Sequence, residues 1–468
     1  MSAPPASSSY NLARVLFLSL TAAIGGFLFG FDSGVINGTV TALQEAFNAS
    51  SLGTGFNVAS MLLGCAVGAF FAGTLADKFG RKPIMLITAI AFLISAWGSG
   101  ASGSSGEFIV FRLLGGLAVG AASVLAPAYI SEVAPPAIRG GLASLQQLMI
   151  VLGLFMAFLS NYLIANAAGG ASAEWLLGFQ AWKWMFWTEI IPSLLFFGAV
   201  LLIPESPRYL VSDGKRTKAC AVVSTICGPE EAEKQVQEIE ASLSGNEKPR
   251  LSHLINKHTG KIQPVLWIGI FLAALQQLVG INVIFYYGAE LWQAAGFDES
   301  EALMTNVITG AVNIGSTFVA IALVDKVGRK PMLLFGSIGM AVTLAAVSYI
   351  FSTGTIVDGN LKLTGGFGIA ALIAANLYIV SFACTWGPIM WVMLGEMFPN
   401  QFRGSALAFC GLVQWLANFT ITMTFPWMLK AMGLSFSYAV YATFAVISVV
   451  FVMKMVRETK GKTLEQMN

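Results

Sequence analysis

The sequence predicts an all-α membrane protein, with twelve transmembrane helices in two pseudo-repeated six-helix bundles and a small cytoplasmic helical linker between them. Three observations predict it. Of the 468 residues 56% are hydrophobic and 11% are charged, where a soluble protein has about a quarter charged. Twelve apolar segments reach the roughly 20 residues that a bilayer crossing needs. Finally, motifs of the first half recur at matching places in the second.

The spans are expected at 15–37, 53–75, 83–102, 107–130, 141–165, 181–204, 263–290, 302–325, 331–353, 366–396, 403–427 and 433–456. The N-terminal MSAPPASSSY is short and polar and has no pattern of a cleavable signal, so span one is expected to stay in the protein. Within span one, FGFDSGVI (Phe29 to Ile36) sets a carboxylate, Asp32, in an apolar run. Span four contains GGLAVG (Gly115 to Gly120), which reads as close helix packing rather than phosphate binding. Residues 205–260 turn basic and amphipathic, as in EEAEKQVQEIEASL, and read as the linker. The chain thus divides into 1–204, 205–260, 261–456 and a tail, 457–468. In span seven, Gly280 between Gln277 and Asn282 makes local unwinding of the helix an expectation.

All but four of the 26 Lys and Arg fall in loops on one side; the exceptions are Lys183, Lys362, Lys430 and, within a span, Arg112. The positive-inside rule then places both termini in the cytoplasm of a multi-pass protein of the cell (inner or plasma) membrane. The five Cys show no metal-ligand spacing and are expected to be free thiols. Both His lie in the linker, so no His cluster supports an enzyme. No GxxxxGK[ST] loop is present, which argues against direct ATP drive. Neither a metal, an organic cofactor nor a nucleic-acid partner is expected, and the chain is expected to act as a monomer in the bilayer.

The repeat is explicit. DKFGRKP (Asp77 to Pro83) follows span two and DKVGRKP (Asp325 to Pro331) follows span eight. SEVAPPAIRG (Ser131 to Gly140) ends span four and GEMFPNQFRG (Gly395 to Gly404) ends span ten. Duplicated halves that meet at a midplane site suit alternating-access transport; duplication kept for packing is the other reading.

Together with PESPRYL (Pro204 to Leu210), QQLVGINVIFYY (Gln276 to Tyr287) and ETKGKTLEQ (Glu458 to Gln466), these motifs make the chain resemble the sugar porters of the major facilitator superfamily over nearly its whole length. Within that family it is similar to bacterial glucose–proton symporters of cyanobacterial type. The resemblance implies the major facilitator fold and proton-coupled uptake of a hexose, D-glucose in the first place. A facilitative uniporter, a xylose symporter and, more distantly, a sugar sensor are the alternatives.

A sugar hydroxyl both donates and accepts, and so does an amide side chain. Span seven carries Gln276, Gln277 and Asn282 close together, followed by Tyr286 and Tyr287. The resemblance marks Gln276, Gln277 and Asn282 as sugar ligands, with Gln147, Asn313, Trp391 and Gln414, and Trp415 nearby. Phe29 is expected as an apolar contact, and Tyr287 as a further member of the set. Leu154 stands where some pentose-transporting relatives carry Gln, which favours a hexose. The competing reading of the amides is glue between helices.

Arg81, Glu132, Arg139, Glu205 and Arg208 fall at the inner ends of first-half spans. Arg329, Glu396 and Arg403 correspond to them in the second half, with Glu458 near the last span. Glu132 and Arg139 flank a Pro-containing turn, as do Glu396 and Arg403, and such pairs can bridge helices. The resemblance implies a cytoplasmic latch of gating charges; topology anchoring is the alternative.

Asp32 and Arg112 each lie about five residues from the outer end of their spans, a matched depth of roughly 7–8 Å. Ionisable groups inside a membrane are functional by default. Movement of the guanidinium toward or away from Asp32 would switch the carboxylate between releasing and holding a proton. The resemblance makes the pair the coupling site, with the proton as coupling ion; a static pair holding two helices in register is the other reading. Glu189 of span six, in MFWTEIIP, is a second candidate carboxylate, as a relay or as a helix–helix hydrogen bond.

Overall fold

A computed structural model of the chain describes residues 10–135, 138–244, 262–357, 360–363, 366–399 and 403–460. Part of the expected linker (245–260) and of the tail (461–468) lies outside the described residues.

The first half starts with α1 (Leu12–Val35), which tightens into a 3-10 turn at Ile36–Gly38. A short α2 (Val40–Ala46) leads to α3 (Ser51–Phe79), α4 (Arg81–Ala101), α5 (Ser105–Val133) and α6 (Arg139–Ala168). Span six is split into α7 (Ala181–Trp187) and α8 (Ile190–Leu202). Pro192 lies just beyond the break, and its missing N–H leaves the Thr188 carbonyl without its usual partner. Three helices, α9 (Pro207–Ser212), α10 (Arg216–Cys227) and α11 (Pro229–Ser244), follow on the basic face. They bury a small core of their own around Leu210, Ala219, Val223, Ala232 and Val236.

In the second half span seven is broken as expected. The segment α12 (Pro264–Leu278) ends and α13 (Ile281–Ala294) begins around Gly280, whose φ of +82° suits glycine. Next come α14 (Glu299–Val327) and α15 (Arg329–Ser352). A small antiparallel hairpin, β1 (Thr355–Val357) with β2 (Asn360–Lys362), joins spans nine and ten in register Thr355↔Lys362. Span ten comprises α16 (Phe367–Ser381), a π-helical segment at Phe382–Trp386, and α17 (Gly387–Met397). The last helix, α18 (Arg403–Met455), runs for 53 residues but is broken at Gly433, where φ is 78° and ψ is 174°.

Eleven helices among the described residues are long and apolar enough to cross a membrane. At 1.5 Å per residue an unbroken α18 would be about 80 Å long, against a hydrocarbon thickness of about 30 Å. Its two arms match the expected spans 403–427 and 433–456, so the count of eleven is the expected twelve with two joined.

Helix α1 packs on α5 and α6, and α3 on α5; in the second half α18 packs on α12 and α15. The halves meet where α3 lies against α18 and where α6 lies against α14. These are spans two with eleven and five with eight, as the internal repeat requires. Large apolar side chains such as Phe71, Ile191, Leu195, Phe335 and Ile369 point outward. That arrangement suits lipid, whose core offers backbone polar groups no hydrogen bonds and so favours closed helices.

Candidate functional site

A cavity of about 180 Å³ lies between the halves. Its lining includes Phe29, Gln147, Gln276, Gln277, Asn282, Asn313, Trp391, Gln414 and Trp415. Nine of the ten side chains expected to hold a sugar therefore meet in one place, from spans one, five, seven, eight, ten and eleven. The tenth, Tyr287, does not. It is fully buried behind the lining and donates its hydroxyl to the Thr422 carbonyl at 2.8 Å. Its neighbour Tyr286 lines the cavity instead, because successive residues of a helix point about 100° apart.

The amides form a connected chain. Gln414 Nε2 and Gln277 Nε2 both donate to Gln276 Oε1, at 2.9 Å and 3.1 Å. Asn282 Nδ2 donates to Gln277 Oε1 at 2.6 Å. Gln276 Nε2 in turn donates to the carbonyls of Trp386 and Gly387, at 3.2 Å and 3.3 Å. Those carbonyls lie where the π-helical segment Phe382–Trp386 passes into α17. The break at Gly280 lets Gln277 and Asn282 reach each other although they are five residues apart. Four amide groups are thereby held with donors and acceptors fixed in direction. Phe29 and Trp415 close one wall, with ring centroids 5.8 Å apart. Trp391 offers a half-exposed indole face.

The sequence reading missed Thr317 and Asn418, which also line the cavity. Each lies four residues after a residue it did find, Asn313 and Gln414. Helical periodicity was the available signal.

Asp32 and Arg112 meet. Both are 1% exposed, and the guanidinium donates to the Asp32 carboxylate. Arg112 also donates to the Asp32 carbonyl at 3.2 Å and stands 5.7 Å from the Phe186 ring centroid. The second carboxylate oxygen has no hydrogen-bond partner among the described residues. It faces the small Gly115, where an added Cβ would come within 3.0 Å. Glu189, at the break between α7 and α8, is 1% exposed, neither of its oxygens has a hydrogen-bond partner among the described residues, and it is close enough to Asp32 to interact with it. One guanidinium therefore serves a buried site containing two carboxyl groups.

The charges on the basic face form two matching clamps. Arg81 meets Glu132 in a bidentate pair at 3.1 Å and 3.0 Å. Arg329 meets Glu396 in the same way at 3.1 Å and 2.7 Å. Glu205 accepts from the backbone N–H of Arg81 at 2.9 Å, and Glu458 from that of Arg329 at 3.0 Å. These carboxylates sit at the N-termini of α4 and α15, where free N–H groups favour a negative charge. Burial pushes the Glu458 carboxyl up, but the N–H groups of Lys460, Arg329, Lys330 and Thr459 outweigh this and hold it below the ordinary glutamate value.

Three expected members behave differently. Arg139 is exposed and donates to the Ala134 carbonyl, and Arg403 donates to the Phe398 carbonyl. Glu132 and Glu396 are taken instead by the arginines that open α4 and α15, whose forks approach them squarely. Arg208 is exposed and makes no ion pair among the described residues. Each clamp thus ties helices of its own half. Glu396→Gln is expected to break the bidentate pair and loosen α15 from α17, lowering the melting temperature by a few degrees while the Glu132 clamp persists. Thermal unfolding in detergent with and without the change measures this.

Hydrogen bonds that join the halves gather on the opposite face. Ala171 N–H donates to Glu299 Oε1 at 2.8 Å, Ser300 to Asn166 at 2.9 Å, and Asn37 reaches into α13.

With a divided bundle, a central amide-lined cavity and paired intramembrane charges in place, comparison with known proteins defines the class. The model of the family described as "Sugar (and other) transporter" matches residues 18–468, and the chain belongs to that family. It is 53% identical to the glucose transport protein of Synechocystis sp., over 100% of this chain and 99% of that one. It is 38% identical to the D-xylose-proton symporter of Escherichia coli, over 98% and 96% of the two chains. The structure matches the partially occluded inward-open form of the xylose transporter XylE from E. coli with a TM-score of 0.83, at 37% identity and over 96% of this chain and 100% of that one. The match to the XylE structure bound to 6-bromo-6-deoxy-D-glucose has a TM-score of 0.78, over 98% and 99% of the chains.

Proposed function

We propose that this protein takes up a hexose, D-glucose first among them, together with a proton by alternating access between its two halves. The observation that carries the reading is the adjacency of two built sites. A cavity lined by a fixed amide chain and by indoles suits a polyhydroxyl ring, and Asp32 of the buried Asp32–Arg112 pair sits on the same helix as Phe29 of that cavity. Full-length identity to a glucose transport protein and to proton symporters supports it.

The basic face is the cytoplasmic one, both termini lie on it, and the protein works as a monomer in the cell membrane. Hydrogen bonds between the halves on the outer face then fit an inward-facing state, as does the likeness to inward-open XylE. The proton is the coupling ion. When Arg112 holds the Asp32 carboxylate, the site is charge-balanced without a proton. When the halves rock and the guanidinium shifts, a proton on Asp32 restores that balance. Glu189 stands beside Asp32 as the next acceptor along the route.

Gln276 is the hub of the amide chain, so Gln276→Ala is expected to raise the half-saturation concentration for glucose at least tenfold and leave the protein folded. Counterflow of labelled glucose in proteoliposomes, with xylose as competitor, checks both this and the choice of sugar. Equal loss for every solute, or xylose outcompeting glucose, would count against a hexose site.

A further inference from the structure

Between spans five and six the chain forms a hairpin on the face opposite the basic one. Two backbone hydrogen bonds hold its base, from Trp182 N–H to the Ala171 carbonyl and from Ala181 N–H to the Ala173 carbonyl, both at 2.9 Å. Trp175 N–H donates to the Phe179 carbonyl at 2.9 Å and closes the tip, a tight turn at Leu176–Gly178. From Trp175 to Trp182 the segment carries no charged residue; Glu174 and Lys183 bracket it.

The tip does not stand away from the bundle. The Trp184 indole N–H donates to the Leu176 carbonyl at 3.1 Å, and the ring centroids of Phe179 and Trp187 are 5.2 Å apart. Helix α7 begins at Ala181, so Trp184 and Trp187 lie about 4.5 Å and about 9 Å below its outer end. The hairpin therefore folds back along the outside of span six, with its tip level with the first two turns of that span. Trp187 also ties this level to span three, where its indole N–H donates to the Trp97 carbonyl at 3.0 Å. Trp97 in turn continues the outward stripe of Ile87, Ile90 and Ile94 along α4, at helical spacing.

The tip shows an apolar surface. Leu176 and Phe179 are exposed, and Leu177 is 84% exposed. Leu177 also adopts a φ of +58°, in the left-handed region that a leucine seldom occupies. In water its side chain would gain nothing from this place. Polar groups at the same level are turned inward. The Leu176 carbonyl also accepts from Phe179 N–H at 3.2 Å, and the Trp175 carbonyl from Gly178 N–H at 3.4 Å. Hydrocarbon offers such groups no partners, so a segment immersed in it must pair them internally. The Lys183 ammonium reaches to the Ser102 carbonyl, just past the outer end of α4, at 3.1 Å, as a basic side chain extending toward the interface does.

We propose that this hairpin is a hook set in the outer leaflet: Leu176, Leu177 and Phe179 insert among phospholipid acyl chains, with the indoles of Trp97, Trp184 and Trp187 beside them at the interface. Tryptophan is the side chain suited to that boundary. The outer side follows from the orientation proposed above. Continuity of the tip with the lipid-facing stripe of α4 makes the occupant lipid rather than a second copy of the chain. Trp97, Trp184 and Trp187 all belong to the first half, so the hook travels with that half and fixes its depth in the bilayer.

The test is collision accessibility of a nitroxide in phosphatidylcholine vesicles, in a background lacking the native cysteines. Single labels are placed on Leu177→Cys and Phe179→Cys at the tip, on Ser172→Cys at the base, and on Ile94→Cys in the lipid-facing stripe. Oxygen concentrates in hydrocarbon and a neutral nickel chelate in water, so the ratio of the two accessibilities at the tip is expected to match that at Ile94 and to exceed that at Ser172 about tenfold. Equal ratios at tip and base overturn the proposal, and the base label also controls for the label's own affinity for lipid. Low accessibility to both agents at the tip, with spin–spin broadening that grows with protein density, would place a second copy there and overturn it equally. If one tip variant does not give monodisperse protein, the other decides. The measurement needs no sugar and is independent of the transport reading.

Discussion

Asp32→Asn is expected to abolish accumulation of glucose against its gradient while leaving counterflow measurable. The substitution preserves shape and keeps an oxygen for Arg112, but the side chain no longer takes or gives a proton. The cavity lining is untouched, since Asp32 is sealed among helices at 1% exposure and the cavity is lined from α1 by Phe29, Gly30 and Ser33 instead. Coupling and binding should therefore separate. Uptake with an inward proton gradient should fall to the equilibrating level, a loss of at least tenfold in the accumulation ratio. Exchange of labelled for unlabelled sugar, which needs no net proton movement, should stay within a few-fold of wild type.

Removing the other partner has a different kind of effect. Arg112→Leu leaves the Asp32 carboxylate buried without its guanidinium, and breaking a buried pair from one side costs about 3–5 kcal/mol. The penalty is large here because Arg112 also holds the Asp32 carbonyl and fills space beside Phe186. A sharp drop in melting temperature or in yield of monodisperse protein is expected. Arg112→Leu combined with Asp32→Asn should regain much of the loss, since no uncompensated charge then remains. A double-mutant cycle on thermal unfolding measures the coupling, and additivity of the two changes would contradict it.

Much of this was legible in the sequence, for identifiable reasons. Long apolar runs fix spans because the bilayer demands them, and the repeated DKxGRKP loops fix the correspondence between halves. Asp32 and Arg112 could be paired from depth alone, since the rise of a helix is constant. Side-chain direction was harder to read. Tyr286 and Tyr287 are neighbours, and choosing between them needs the rotation of α13, which the Gly280 break resets. Clamp partners within each charge cluster are equally hard to choose: Arg139 and Arg403 are nearer to Glu132 and Glu396 in sequence, whereas Arg81 and Arg329 reach them from the adjoining helix. Asn37 and Asn306 stand singly near span ends, and their contact exists only once the two halves are placed against each other.

The central claim is that sugar and proton move together. Proteoliposomes loaded with a pH indicator, at equal pH on both sides and with the membrane voltage clamped, test it most directly. On addition of external glucose the lumen of wild-type vesicles should acidify in step with sugar entry, and vesicles carrying Asp32→Asn should not respond. Glucose entry into wild-type vesicles with no change in luminal pH would contradict the account and leave an uncoupled sugar carrier in its place.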